Sequence, residues 1–311
     1  MNWASIFQFI GTDASTQGLI WAIVALGVFI SYRILNVADM SVDALFPFAG
    51  IISLKLISIG MNPVLSLLIA VLCGILIGLI NASLHVFLHI DPLLAGIIVM
   101  IALYTPNVII SKGNIAIDSS APTVFTWLKE LFDSKIASRI VLLAVVVIAV
   151  FILIYWFFGT ELGLSLRAAG KNQSMAKANG INTSSRYILG LTISSALIAL
   201  AGALYGQSNG YFSADAGRGS IIIGLAIIFL GDVIFGNKSF KLSLISLIVG
   251  GLIYWLIIDI IIEIPNFNTN YLNLTKALFI TVIVCLYELK KKLMKKKAIR
   301  NSLTLKQGEA K

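Results

Sequence analysis

The chain has 311 residues, of which 59% are hydrophobic and 12% are charged, and its formal net charge is +9. This composition excludes an ordinary soluble globular domain, in which about 25% of residues are charged. It predicts an all-α membrane protein, because a hydrocarbon core about 30 Å thick requires about 20 mainly apolar residues for each spanning helix.

About nine apolar segments are candidate spans, and eight or ten crossings remain possible. The second segment is the least regular, because Asp39, Asp43, Pro47 and Lys55 flank or interrupt it, so it could be a broken or re-entrant segment. The sequence thus predicts a polytopic helical bundle of about 8–10 spans. The segments lie near residues 17–36, 42–60, 63–88, 92–111, 139–158, 186–208, 218–235, 241–262 and 272–289.

Small residues predict close packing of these helices. Gly74 and Gly78 are four residues apart, as are Gly202 and Gly206. Small faces of this kind let helix backbones approach each other in a membrane. Spacing of this kind is common, so it indicates a bundle and no particular function.

Lysine and arginine predict the orientation, because retained cationic loops mark the cytoplasmic side of a membrane protein. They cluster in the tail after residue 289, in the segment 162–182, and in a short turn with Lys238 and Lys241. Four spans separate 162–182 from the tail, so both are expected in the cytoplasm. The same count places the N-terminus and the connection 112–138 outside.

Polar residues near the spans are candidates for the wall of a translocation pathway, since a carboxylate at mid-bilayer costs roughly 2.5–3.5 kcal/mol on insertion scales. A structural role is the alternative for three of them. Asp39 and Asp43 also lie where a new helix would begin, a favourable place for negative charge. Asn81 could equally bond to a neighbouring helix. The candidates are Asp39, Asp43, Asn81, Gln207 and Asn209.

His85 and His89 share a helical face and lie near Asp91, a pattern that superficially suggests metal ligands. The sequence favours a helix end instead, because Asp91 and Pro92 are typical of the N-cap and first position of the next helix. We therefore expect no metal site and no cofactor in this chain.

The segment 162–182, LGLSLRAAGKNQSMAKANGIN, is a polar and basic stretch between two apolar runs. Its mixture of apolar and cationic residues predicts one or two short amphipathic helices, broken at Gly170 and Gly180. A short helix along the membrane surface can fit a groove of another protein. The alternative is an ordinary connecting loop.

Four stretches resemble, in the expected order, permease subunits of ATP-binding-cassette (ABC) importers that serve branched-chain amino acids, ribose-type sugars and nucleosides. The stretch 25–50 looks like a branch often associated with aromatic amino-acid uptake. In 78–96, Asp91 replaces a proline of the family pattern. The matching features are Arg33-Ile34-Leu35, Asp39, Val42-Asp43 and Phe46-Pro47; GLIN at 78–81; Leu166-Arg167-Ala168, Gly170, Asn172, Met175-Ala176 and Gly180-Ile181-Asn182; and Leu200–Leu204 followed by 217–236.

This resemblance implies a transmembrane permease domain at 1–289, a cytoplasmic coupling loop at 159–185 and a basic cytoplasmic tail at 290–311. The subunit would form half of the pathway for a small solute, expected to be an aromatic or branched-chain amino acid, as a homo- or heterodimer in a bacterial plasma membrane. An extracellular or periplasmic solute-binding protein would deliver the solute, and separate cytoplasmic ATPase subunits would dock on the loop. The implied coupling residues are Arg167, Gly170, Met175, Ala176, Gly180, Ile181 and Asn182.

The chain contains no G-x-x-x-x-G-K-[ST] phosphate loop, so we expect it not to be an enzyme and expect ATP hydrolysis on its partners. Membrane lipid is a further expected partner of the lysine-rich tail, and nucleic acid is not. Three alternatives stay open: a secondary transporter driven by an ion gradient, an integral-membrane enzyme, and sugar or nucleoside import by the same ABC mechanism.

Overall fold

The computed structural model describes residues 3–118, 120–127, 135–236, 239–263 and 271–309, and Lys238 lies outside them. The predicted all-α bundle is confirmed, because seven helices of the described residues are long and apolar enough to cross a membrane. The elements are α1 (Trp3–Val28), a π-helical segment (Phe29–Ile34), α2 (Val42–Ser58), α3 (Pro63–Leu88), α4 (Pro92–Ser111), β1 (Asn114–Ala116), α5 (Val124–Trp127), α6 (Lys135–Gly159), α7 (Glu161–Lys171), α8 (Gln173–Ala178), α9 (Thr183–Asn209), β2 (Tyr211–Ser213), α10 (Ser220–Phe235), α11 (Phe240–Ile262) and α12 (Leu272–Glu309).

Two predicted spans form shorter helices than the other seven. They are α2, with 17 residues, and α10, with 16 residues. At about 1.5 Å per residue each is about 25 Å long, which is less than the thickness of the hydrocarbon core. The first residues of both helices, Val42 and Ser220, are fully buried, so each helix begins inside the bundle.

The long helices α1 and α9 form the centre of the bundle, since they are the most buried of the seven. Small residues let α9 pack closely on both sides, as the glycine spacing predicts. A Cβ atom at Gly74 or Gly78 of α3 would collide with α9, and one at Gly202 would collide with the carbonyl oxygen of Phe46 in α2. These contacts hold α2 and α3 against the central helix.

The central helix α9 has 27 residues and is thus about 40 Å long, so its two ends lie at opposite ends of the bundle. At its start lie α7 and α8, and we call this the loop end. At its finish, β1 pairs antiparallel with β2, with Ile115 opposite Phe212, and we call this the ribbon end. Residues 112–118 and the segment 162–182 therefore lie at opposite ends of the bundle, as the predicted number of spans between them requires.

The start of the lysine-rich tail, which forms part of α12, lies at the loop end. The Nζ of Lys290 donates a hydrogen bond to the carbonyl oxygen of Asp232, at 3.3 Å, near the end of α10. Asp232 also contacts Arg33, and Gly170 of α7 lies against the neighbouring Ile34. Residues 161–182 and the start of the tail consequently share one end of the molecule.

The irregular second span is interrupted before its helix and not at Pro47. The π-helical segment ends at Ile34, residues 35–41 are unwound, and α2 then runs through Pro47. Pro47 cannot donate a hydrogen bond to the carbonyl oxygen of Asp43. Gly217 lies against that oxygen, where a Cβ atom would collide with it. Gly217 thus packs against α2 at the position where the proline leaves a carbonyl oxygen without its helical donor.

Candidate functional site

Two short helices and three capping side chains build the loop end. Thr160 caps α7, Asn172 caps α8 by accepting a hydrogen bond from the N–H of Met175 at 3.0 Å, and Asn182 caps α9. The prediction of two short helices therefore holds, but the break lies at Asn172. Gly170 is inside the last turn of α7, so the expectation of a break at that glycine is wrong.

Gly170 brings α7 into direct contact with the end of the π-helical segment. A Cβ atom at this position would collide with the carbonyl oxygen of Ile34 and lie 3.1 Å from the Cα of Leu35. Only glycine allows this approach of two backbones. Because Leu35 begins the unwound stretch 35–41, α7 lies in contact with the interruption that precedes α2.

Arg167 also ties α7 to another element of the bundle. Its guanidinium carbon lies 4.7 Å from the centre of the Phe240 ring, in the first turn of α11. An arginine over an aromatic face is stabilised by about 0.5–1 kcal/mol at an exposed site. A cation–π contact thus holds Arg167 of α7 against α11, and its role in coupling stays a prediction.

Met175 and Ala176 differ sharply in exposure. The Met175 side chain is 65% exposed, whereas Ala176 is 3% exposed. The carbonyl oxygen of Ala176 accepts a hydrogen bond from the N–H of Ile181 at 3.0 Å, and Gly180 between them has φ +76°. Met175 is therefore the most exposed large apolar side chain of α7 and α8, while Ala176, Gly180 and Ile181 shape the turn into α9.

Asp39 and Asn81 meet in the interior of the bundle. Oδ1 of Asp39 accepts hydrogen bonds from the N–H of Ser41 at 3.0 Å and from Nδ2 of Asn81 at 2.9 Å, while Oδ2 has no hydrogen-bond partner among the described residues. Gly96 of α4 lies on the same segment, since a Cβ there would be 2.8 Å from the N of Met40. α3 and α4 thus hold the unwound stretch 35–41 in place.

Asp43 lies between the starts of two helices. It is in the first turn of α2, and its carboxylate accepts hydrogen bonds from the N–H groups of Gly219 and Ile221, both at 2.9 Å. These N–H groups begin α10, so one carboxylate serves two helix N-termini. The interpretation of Asp43 as a favourable charge at a helix start is confirmed, and α2 and α10 meet at this point inside the bundle.

Gln207 joins four helices near the ribbon end. Its Nε2 donates to Oγ of Ser53 at 2.9 Å and to the carbonyl oxygen of Pro63 at 3.0 Å, and its Oε1 accepts from the N–H of Val124 at 3.0 Å. All its bonds thus cross-link α9 to α2, α3 and α5. Asn209, two residues later, is half-buried at the end of α9.

His85 and His89 mark a helix end, as predicted. His89 follows α3 with φ 55°, and Asp91 caps α4 by accepting a hydrogen bond from the N–H of Leu93 at 3.0 Å. The His85 ring packs 4.5 Å from that of Tyr187. No group of three or more His, Cys, Asp or Glu residues that could hold a metal is found in the described part of the chain. The absence of a cofactor stays a prediction.

An ion pair between Arg33 and Asp232 is the main contact that sequence reasoning missed. It joins the π-helical segment to α10 across 199 positions, and the side chains are 22% and 5% exposed. The sequence does indicate this ion pair, because it has one basic and one acidic residue, each near the loop end of an otherwise apolar span. Opposite charges buried at one membrane depth are expected to pair.

We expect Asp232→Asn to lower the free energy of unfolding by about 1–3 kcal/mol, because it removes the charged hydrogen-bond partner of the partly buried Arg33 guanidinium. Apparent melting temperature of the purified protein measures this effect. Arg218→Gln is the control, since it removes an exposed pair with Asp215 and should change little. Equal melting temperatures for Asp232→Asn and the parent chain would contradict the structural role of this pair.

Comparison with known proteins decides the class of this bundle. The family model described as branched-chain amino acid transport system, permease component, matches residues 12–286. The chain belongs to this permease family. The permease is 37% identical over 269 residues to the tyrosine transport system permease protein of Clostridioides difficile (strain R20291), which covers 86% of this chain and 88% of that protein.

Two further matches extend the comparison. The D-allose transport system permease protein AlsC of Escherichia coli (strain K12) is 28% identical over 247 residues, covering 78% of the permease and 72% of that protein. A solved structure described as PsaBC from Streptococcus pneumoniae in complex with Fab gives a TM-score of 0.51 at 15% identity, over 89% of this chain and 88% of that chain. The solved structure supports the fold alone.

Family membership confirms the resemblance that the four sequence stretches carry. The chain is a multi-pass membrane subunit of a bacterial ABC transport system for a small solute, and ATP hydrolysis and solute capture belong to separate proteins of that system. This assignment favours ATP-driven transport over an ion-gradient-driven transporter and over a membrane enzyme.

Proposed function

We propose that this permease forms half of the translocation pathway of an importer for an amino acid, with tyrosine or a related aromatic amino acid as the first candidate. The observation that carries the proposal is the 37% identity to a tyrosine transport system permease over most of both chains. The similarity to a D-allose permease keeps sugar import as the second candidate, and nucleoside import remains an alternative as well.

The domain assignment follows the sequence prediction. Residues 1–289 form the membrane domain, residues 159–185 face the cytoplasm as the coupling loop, and the tail 290–311 is cytoplasmic. Residues 161–182 and Lys290 lie together at the loop end, which supports the same side of the membrane for both. The lysine-rich tail indicates that this side is the cytoplasm. A second permease subunit completes the pathway, and a solute-binding protein delivers cargo at the ribbon end.

Two groups of loop residues couple the permease to ATP hydrolysis: one contacts the ATPase and the other keeps the loop rigid. Met175 enters an apolar groove of the ATPase, because it is the exposed apolar side chain of α8. Arg167, Gly170, Ala176, Gly180, Ile181 and Asn182 keep the loop rigid. ATPase closure would displace α7, and the contact of Gly170 with Ile34 would pass this displacement to the unwound stretch 35–41.

The pathway is proposed to pass near the meeting point of α2 and α10. Helices that begin within the membrane place N–H groups and polar side chains at mid-depth, where transporters bind their cargo. Asp43 and Asn209 are the more accessible of the five candidates. Asp39, Asn81 and Gln207 are buried and bonded to neighbouring segments, so we assign them the support of the pathway wall.

Reconstitution with the cognate ATPase and solute-binding protein tests the cargo. Proteoliposomes containing the three components should accumulate labelled tyrosine on addition of ATP, and not labelled allose or uridine. Uptake of allose or uridine without tyrosine uptake would replace the amino-acid proposal by one of its alternatives. Uptake driven by an ion gradient without ATP would overturn the importer mechanism.

A further inference from the structure

An electropositive cleft of about 820 Å³ opens at the loop end between the π-helical segment, α7 and the start of α11. Three cationic side chains line it, those of Arg33, Arg167 and Lys171. None of its described lining residues is acidic. Asp232 pairs with Arg33 and so balances one of the three charges. The cleft therefore carries uncompensated positive charge on α7.

The N-terminus of α11 adds to this positive field. The helix starts at Phe240 and runs for 23 residues, and the preceding Ser239 makes no side-chain capping bond among the described residues. The first N–H groups of a helix have no partner within it and carry partial positive charge. Arg167 lies over the Phe240 ring beside them. Guanidinium, ammonium and helix N–H groups together are suited to phosphate oxygens.

A second cavity of about 490 Å³ continues this cleft towards α6. The two cavities share Leu164, Arg167, Ser239 and Phe240. The second is also lined by Lys241 and by three further aromatic residues, Tyr155, Trp156 and Phe158, of which Trp156 is 69% exposed. Exposed tyrosine and tryptophan at the end of an apolar helix are typical of the headgroup level of a membrane. The combined cleft thus has a cationic part and an apolar, aromatic part.

We propose that this cleft binds an anionic phospholipid, with the phosphate between Arg167, Lys171 and the start of α11 and the acyl chains along Tyr155 and Trp156. Basic pockets between transmembrane helices bind anionic headgroups. The exposed Tyr155 and Trp156 beside the cationic part of the cleft favour a phospholipid over a free phosphate ion. The bound lipid joins α7 to α11 and α1, so it stabilises the loop in the position from which Met175 is presented. Arg167 and Gly170 of the coupling loop line this cleft, so the proposal rests on the proposed cytoplasmic position of that loop, but phospholipid binding itself requires neither the ATPase nor the transported solute.

Native mass spectrometry of the full-length permease tests the proposal, with phosphatidylglycerol and phosphatidylcholine titrated separately. The parent chain should retain one phosphatidylglycerol at concentrations where phosphatidylcholine is lost. Each basic side chain near a membrane surface contributes about 5-fold in affinity, so Arg167→Gln/Lys171→Gln should weaken phosphatidylglycerol binding by about 30-fold. Lys171→Gln alone should weaken it by about 5-fold, and it alters an exposed side chain.

Lys177→Gln is the matched control, since it removes one exposed charge from α8 outside the cleft and should bind phosphatidylglycerol like the parent chain. Three results would overturn the proposal. The first is equal phosphatidylglycerol affinity of the double variant and the parent chain. The second is equal retention of phosphatidylcholine. The third is displacement of the lipid by millimolar inorganic phosphate, which would identify a site for a soluble anion instead.

Discussion

ATP-driven uptake by Gly170→Val is expected to fall by about 10- to 100-fold, although the variant inserts into the membrane. The valine side chain has no room between α7 and the carbonyl oxygen of Ile34. Overpacking of this kind costs about 1–3 kcal/mol and would move α7 away from α1. Displacement of α7 by the ATPase would then no longer reach the stretch 35–41. Uptake and stimulated ATPase activity in proteoliposomes measure the loss.

Gly159→Val is the matched control for this substitution. Gly159 ends α6 only eleven positions earlier, but a Cβ atom there meets no atom within 4 Å. We expect the control to insert and transport like the parent chain. Full uptake by Gly170→Val would show that the contact between Gly170 and Ile34 does not transmit the displacement.

Met175→Glu is expected to prevent assembly with the ATPase. The side chain is exposed, so the permease should fold and keep its melting temperature. Burial of a methionine contributes about 1.5–3 kcal/mol, and a carboxylate in an apolar groove adds an unfavourable desolvation term. We therefore expect affinity for the ATPase to fall by about 100-fold or more. Co-purification of the ATPase from detergent extracts measures it.

Gln173→Glu separates the loss of the apolar side chain from the added charge. Gln173 is exposed at the start of α8, where a carboxylate is favourable for the helix. This variant should retain the ATPase. If Met175→Glu retained it equally well, α8 would not be the contact surface and the proposed coupling mechanism would be wrong.

Local chemistry made the helices and several of their ends predictable from the sequence. Apolar runs of about 20 residues mark the long helices because each must cross the same hydrocarbon thickness. Asp91 and Pro92 begin α4 as predicted, since a capping carboxylate and a proline both suit the first turn of a helix. These signals depend on neighbouring residues only.

The interruption before α2 depends on contacts between distant residues, so the sequence indicated an irregular second span but not the form that it takes. The stretch 35–41 is held by Asn81, 42 positions after Asp39. Gly170 looked like a helix break, because glycine commonly marks one. Its actual role is a close approach to Ile34, which is visible only once α1 and α7 are assembled. The ion pair of Arg33 with Asp232 is equally remote in sequence.

Accessibility labelling of Met175→Cys tests most directly whether α8 faces the cytoplasm and contacts the ATPase. Cys73 and Cys285 are replaced by serine in the same chain, so that the introduced thiol is the one labelled. A membrane-impermeant maleimide should label inside-out vesicles and not intact cells, and the bound ATPase should protect the thiol. Labelling in intact cells, or equal labelling with and without the ATPase, would contradict the proposed coupling of this permease to its motor.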